Sequence, residues 1–231
     1  MPGRAIVSNV SFGDTTLPKI DITYIQPLVG ALYDFAVDQL PLGPVASWPS
    51  LVDGLPLVAD GTTTPTVITD GASKTVRFNG TIDRMQINVN LNTAHSIVAV
   101  AKLRTPVASD QIVYGKASNT EGALGINSGG TSFNANGGGQ SLSMSPVVAP
   151  DANWHVFILS HQGTSSALRV DNAETLGNVP VAQRNGITLG FGNLADLRSE
   201  VDYKRVALIP GTMTTAQRTA IVAQLKGQYG I

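Results

Sequence analysis

The chain has no cysteine, which excludes disulfides and thiolate metal centres and fits folding in a reducing compartment. Charge is scarce: Asp, Glu, Lys and Arg make up 13% of 231 residues, about half the usual share. With a net charge of −1 there is no basic field to attract nucleic acid or anionic lipid. No apolar run approaches the roughly 20 residues needed to span a bilayer. The opening MPGRAIVSNV lacks the apolar segment of a signal peptide. These absences predict a soluble, unprocessed chain with no nucleic-acid partner and no membrane insertion.

What is present is turn-forming: 24 glycines and 13 prolines punctuate short runs rich in branched and aromatic residues, as a β-sandwich requires. Residues 153–160 (NWHVFILS), 166–171 (SALRVD), 186–191 (GITLGF) and 201–209 (VDYKRVALI) read as strands. So do 85–90, 96–103 and 111–115, while 123–126 leads into a polar loop. In 85–90, Met85, Ile87 and Val89 alternate with polar residues, predicting one buried and one wet face. Residues 97–101 are apolar on both faces, the pattern of a central strand covered on each side. Residues 62–66 read as a turn-rich loop, and 129–139 as a polar loop carrying Asn134, Asn136 and three consecutive glycines. Thr214 with Gln217 predicts a capping box for a helix over 214–226. Ala220, Ile221, Leu225 and Gln224 are expected on its inner side, with Lys226 and Gly227 as stop signals.

The order of these elements resembles the laminin-G-like, concanavalin A-like jelly roll. Trp154-His155 opens a strand, the next strand ends in Val170-Asp171, and Tyr203 to Ile209 forms the penultimate element. Residues 31–35 (ALYDF) resemble the start of such domains in tailed-bacteriophage proteins. They are followed by Trp48 to Gly54, by the VRFNG of 76–80, and by the closing Gln217, Leu225 and Tyr229-Gly230. The resemblance covers roughly residues 31–230 and implies an all-β antiparallel sandwich with one C-terminal α-helix. It also implies a structural component of a tail, baseplate, fibre or capsid surface, assembled in the host cytoplasm. Residues 1–30 read as an N-terminal arm and 31–231 as the jelly roll. Within the arm Ile6, Val7, Val10, Ile20, Ile22 and Ile25 are apolar in a segment too short to bury them alone. They are the expected assembly residues, toward other virion proteins and sister copies in a homo-oligomer; the alternative is that they complete the sandwich's own sheets.

Catalysis is tested against carboxylate pairing. A retaining glycosidase on this fold resembles Glu-x-Asp-x-x-Glu, with carboxyls about 5–5.5 Å apart. The only glutamates, Glu121, Glu174 and Glu200, do not stand in that pattern, and the aspartates read as turn residues. No enzyme activity and no cofactor are expected. His155 and His161 lie about 20 Å apart at strand rise, too far to share an ion, and His155 reads as a packed strand residue. Asp110, Asp151 and Asp171 flank strands as caps, so no metal site is assigned. Trp48 and Trp154 are expected in the core. For a host-surface glycan, Tyr114, Asn134 and Asn136 are the candidate ligand-binding residues, expected to meet at one end of the sandwich. The alternatives are a lectin-like module not tied to a virion, and a glycoside hydrolase.

Overall fold

A computed structural model describes residues 25–52, 54–60, 63–106, 111–115, 123–126, 129–137, 140–143, 148–179, 184–190 and 200–231. The apolar runs pair into two antiparallel sheets. The nine-stranded sheet runs β15 (Ala173–Val179), β14 (Gly163–Val170), β13 (His155–His161), β8 (His95–Leu103), β17 (Val201–Pro210), β6 (Ser73–Arg77), β5 (Thr66–Asp70) and β2 (Gly43–Pro44). Strand β1 (Tyr33–Ala36) pairs with β17 beyond β6. The eight-stranded sheet runs β12 (Gln140–Ser143), β11 (Phe133–Gly137), β10 (Ala123–Ile126), β9 (Gln111–Gly115), β16 (Arg184–Gly190), β7 (Arg84–Leu91), β4 (Leu57–Ala59) and β3 (Ser47–Trp48). A 3-10 turn covers Val37–Gln39, and α1 covers Thr215–Tyr229.

The alternation in β7 behaves as its residues dictate: Met85, Ile87, Val89 and Leu91 are buried, and Asn88 and Asn90 are exposed. These side chains join Trp48, Phe78, Phe133, Phe157 and Tyr203 in the core between the sheets. Trp48 is fully buried there, and its Nε1 donates to the Ala36 carbonyl at 3.1 Å. The doubly apolar β8 serves two cores. Ile97, Ala99 and Ala101 face the inter-sheet layer, while Val98 and Val100 face outward with Val156, Ile158, Ala207 and Ile209 under α1. Burying that outer face is what holds the helix to the sheet.

The capping box is present. Thr214 Oγ1 accepts from the Gln217 amide at 3.3 Å, and Gln217 Oε1 accepts from the Thr214 amide at 2.8 Å. The helix does not stop at Lys226 and Gly227. It runs on to Tyr229 and ends at Gly230, which takes the left-handed conformation at φ 64°, so the true stop is the later glycine. Its buried residues are Arg218, Val222 and Leu225, with Ile221 at the margin and Ala220 and Gln224 exposed. Arg218 lies inward because Glu174 takes its guanidinium, Nε to Oε2 at 2.8 Å.

Three other expectations change. Asn134 and Asn136 lie in strand β11, paired on both edges, instead of in a loop. The turn-rich loop expected over 62–66 ends in strand β5 at Thr66, and β15 is a strand that the sequence did not announce, each pairing along its length with a neighbouring strand. Trp154 is not in the inter-sheet core: it packs half-buried on the outer face, against the cluster beneath α1. Of the expected assembly residues, Ile6, Val7, Val10, Ile20 and Ile22 lie outside the described residues. Ile25 is covered by its own chain, 8% exposed, so it has little surface to offer a partner. Next to it, Leu28 packs under the helix, and its amide donates to Asp34 Oδ2 at 2.6 Å. Among the described residues no helix is long and apolar enough to cross a membrane.

Candidate functional site

The outer face of the nine-stranded sheet carries an open cleft of about 1300 Å³. Its floor is Lys102 of β8, Lys204 of β17 and Trp154 just before β13. Its walls are the β5–β6 turn from Asp70 to Lys74, Asp38 and Gln39 of the 3-10 turn, and the end of α1 from Gly227 to Ile231.

A break in strand parity positions the floor. Val201 and Tyr203 face the inter-sheet core, and so do Val206 and Leu208. The register of β17 against β8 slips between Tyr203 and Arg205. Such a bulge places two successive residues on the same side. Lys204 and Arg205 therefore both leave toward the outer face.

The two cations meet different fates. Arg205 is fully buried and forks onto Asp34, Nε to Oδ1 at 2.8 Å and Nη2 to Oδ2 at 2.6 Å. It also donates to the Gln26 carbonyl and to Gln228 Oε1. Burial alone would lower its pKa, but the bonded charge of Asp34 outweighs that and raises it. Lys204 is 4% exposed, with Nζ 4.5 Å from the centre of the Trp154 ring and 5.7 Å from that of Tyr229. Burial pulls its pKa down. Lys102 lies 5.0 Å from the same indole and donates to Asp70 at 2.6 Å. That bond, aided by the Trp154 Nε1 donor at 3.1 Å, holds the Asp70 carboxyl below its ordinary value. Tyr229 donates its hydroxyl to Asp38 at 3.3 Å, and burial raises its pKa.

Beside the cleft, His155 bridges two carboxylates, Nδ1 to Asp171 at 2.7 Å and Nε2 to Asp151 at 2.9 Å. Asp171 also accepts from the Val156 amide and from Lys226 of the helix at 3.1 Å. It holds a positive φ of 54° that this set of bonds keeps in place. Burial alone would lower the His155 pKa, but the two carboxylates outweigh it and raise it. The reverse balance lowers both aspartates. So His155 is more than a packed strand residue, and Asp151 and Asp171 anchor it as well as capping. Among the described residues no group of three His, Asp or Glu could hold a metal ion.

A pH dependence follows from these shifts. The raised His155 contributes stability fully below about 6.5 and loses it as pH rises through its folded value. The lowered aspartates contribute above about 3.8 and lose it as pH falls through theirs. The cluster should therefore stabilise most between about pH 4 and 6.5. The melting-temperature gap between wild type and His155→Gln should narrow as pH rises from about 6 to 9. A constant gap would mean that folding leaves the His155 pKa unshifted.

The expected ligand residues lie elsewhere. In the eight-stranded sheet, Tyr114 of β9 and Asn136 of β11 both stand opposite Ala123 of β10, with Asn134 opposite Gly125. The register thus brings Tyr114 and Asn136 into one row of adjacent strands, on the sheet that does not carry the cleft. Asp110 and Glu121 lie outside the described residues. Glu174 is bound to Arg218 and Arg169, and Glu200 to Arg104.

The sequence matches no protein-family model and no curated protein. By structure the chain is similar to the sialidase of Trypanosoma rangeli in complex with sialic acid, at 12% identity and TM-score 0.64 over 86% of this chain and 33% of that one. It is similar to domain 4 of a GH43 extracellular arabinanase from Geobacillus stearothermophilus in complex with arabinotriose, at 13% identity and TM-score 0.62 over 83% and 98%. It is also similar to the ligand binding domain of botulinum neurotoxin serotype D in complex with N-acetylneuraminic acid, at 9% identity and TM-score 0.60 over 84% and 51%. The chain spans about a third of the sialidase and half of the toxin domain. At such identities the likeness is one of fold. The chain is a concanavalin A-like antiparallel β-sandwich with one C-terminal helix.

Proposed function

We propose that this chain is a non-catalytic, lectin-like sandwich that binds a host-surface glycan and is displayed on the particle of a tailed bacteriophage. The cleft carries the binding half of the reading. It sets two aromatic side chains, Trp154 and Tyr229, beside the amides Asn153 and Gln228 and the charged Lys204, Lys102 and Asp70. An apolar ring next to fixed polar donors and acceptors is what a sugar's C–H face and hydroxyls need. The arabinanase domain, with which this chain shares its fold, was solved with arabinotriose.

The virion half rests on the sequence resemblance of residues 31–230. Its partners would be other virion proteins and sister copies. The non-catalytic reading rests on the carboxylates of the cleft: Asp70 is ion-paired to Lys102 and Asp38 is bonded to Tyr229, and neither is placed as a free acid or base.

A glycan array probed with the full chain should show binding that Trp154→Ala reduces at least tenfold, with no reducing sugar released from the bound polysaccharides. Turnover would refute the non-catalytic reading, and an array without hits would refute the lectin reading. Antibody labelling of virions in negative stain should decorate the particle surface. Unlabelled particles would remove the virion assignment.

A further inference from the structure

We propose that the cleft takes the carboxylate of an acidic sugar, with the Lys204 ammonium between Trp154 and Tyr229 as its anchor. This rests on the carbohydrate reading above and narrows it to a ligand class.

The argument starts from unequal neighbours. The bulge in β17 sends two adjacent cations to one face. Arg205 meets a buried carboxylate there and makes a bidentate pair. Lys204 is as enclosed as a core residue, at 4% exposure, yet among the described residues no carboxylate, carbonyl or hydroxyl accepts a hydrogen bond from its Nζ. The two rings contact it through their faces, which attract a cation but accept none of its three N–H donors in the directed way an oxygen does.

The other cations of the cleft are already engaged. Lys102 is bound to Asp70 at 2.6 Å, and Lys74 donates to the Leu40 carbonyl at 2.6 Å. Enclosure of the side chain, with no acceptor bonded directly to its ammonium, is the cause of its lowered pKa. Because Lys204 lines the open cleft, an incoming anion can reach it.

The anion's class follows from its surroundings. Asp70 and Asp38 both act on Lys204 through their charge, so the local field is close to balanced. One available point charge in such a field suits a monoanionic carboxylate, whereas a dianionic phosphate would repel both aspartates. A pyranose carrying that carboxylate would set its ring against Trp154 and leave hydroxyls for Asn153 and Gln228.

The test is calorimetric titration of the full chain with sialyllactose and oligogalacturonate, each beside its carboxyl-reduced counterpart, and with a sulfated oligosaccharide. We expect an acidic ligand to bind at least tenfold more tightly than its carboxyl-reduced form. Lys204→Met should abolish most of that difference, and raising salt should weaken the acidic ligand alone. Equal affinity for acid and reduced forms, or binding of neutral sugars only, overturns the anchor and leaves the carbohydrate reading standing. Preference for the sulfated ligand overturns the carboxylate class. Binding of no sugar of either kind overturns both. Should Lys204→Met fail to fold, the comparison of acid with reduced ligand on the wild-type chain decides alone.

Discussion

Replacing Asp34 by alanine should destabilise the fold by about 3–5 kcal/mol, because it leaves Arg205 charged, buried and without its counter-ion. Both side chains are almost fully enclosed, at 0% and 1% exposure. The pair is also a junction. Asp34 accepts from the Leu28 amide at 2.6 Å, and its own amide donates to Ser50 Oγ at 3.0 Å. Arg205 reaches the Gln26 carbonyl and Gln228 near the end of α1. One ion pair thus ties residues 26–28, strand β1, strand β17 and the helix together, and removing one partner disturbs all four. The apolar double replacement Asp34→Leu with Arg205→Met should recover most of the loss, since a buried pair contributes little beyond a well-packed apolar one. Urea denaturation of the wild type and the two variants is the measurement. A single variant within about 0.5 kcal/mol of wild type would show that water reaches the guanidinium.

That junction was hidden in the sequence for a physical reason. Asp34 and Arg205 stand 171 positions apart, and Asp34 lies in a stretch whose aromatic neighbours carried the resemblance. The strands were readable where side-chain chemistry decides them alone: β7 by its alternation, β8 by its apolar run, α1 by its capping box. Strand β5 is rich in β-branched residues but follows directly on the turn-rich 62–66, and β15 is mostly polar, so the partner strands mark where each one runs. The same holds for Asn134 in β11. Trp154 shows the opposite limit. Hydrophobicity correctly put it against apolar neighbours, but could not choose between the core between the sheets and the one under the helix.

The cleft had one local signal. In VDYKRVALI the apolar residues alternate as 201 and 203, then as 206 and 208, and the change of parity marks the bulge that turns Lys204 and Arg205 the same way. The remaining walls come from turns far apart in sequence, which no local pattern links. The expectation for Tyr114, Asn134 and Asn136 rests on residue type and on a meeting at one end of the sandwich, and neither decides which sheet carries a concavity.

Substituting Gly190 with alanine should cost about 3–5 kcal/mol, comparable to losing a large core side chain. Gly190 ends β16 opposite Arg84, with a positive φ of 82°. A side chain in that conformation is strained before any contact is considered. An added Cβ would also sit 2.2 Å from Phe78 Cδ1 and 2.5 Å from the Asp83 carbonyl oxygen, both far inside van der Waals separation. Neither neighbour has room to yield. Phe78 is fully buried and packs edge-on to Tyr203 at 5.2 Å between ring centres. Asp83 is fixed by Thr63 at 2.7 Å and by the Asn79 amide at 2.9 Å. The strain must therefore pass into the backbone of β16, in the middle of the eight-stranded sheet, or into the aromatic core. Thermal melts of Gly190→Ala beside Gly71→Ala separate the two contributions, because Gly71 has φ 62° but nothing within 4 Å of its added Cβ. Gly71→Ala should cost only the conformational part, about 1–2 kcal/mol. Equal losses for the two would mean that Phe78 moves aside without penalty.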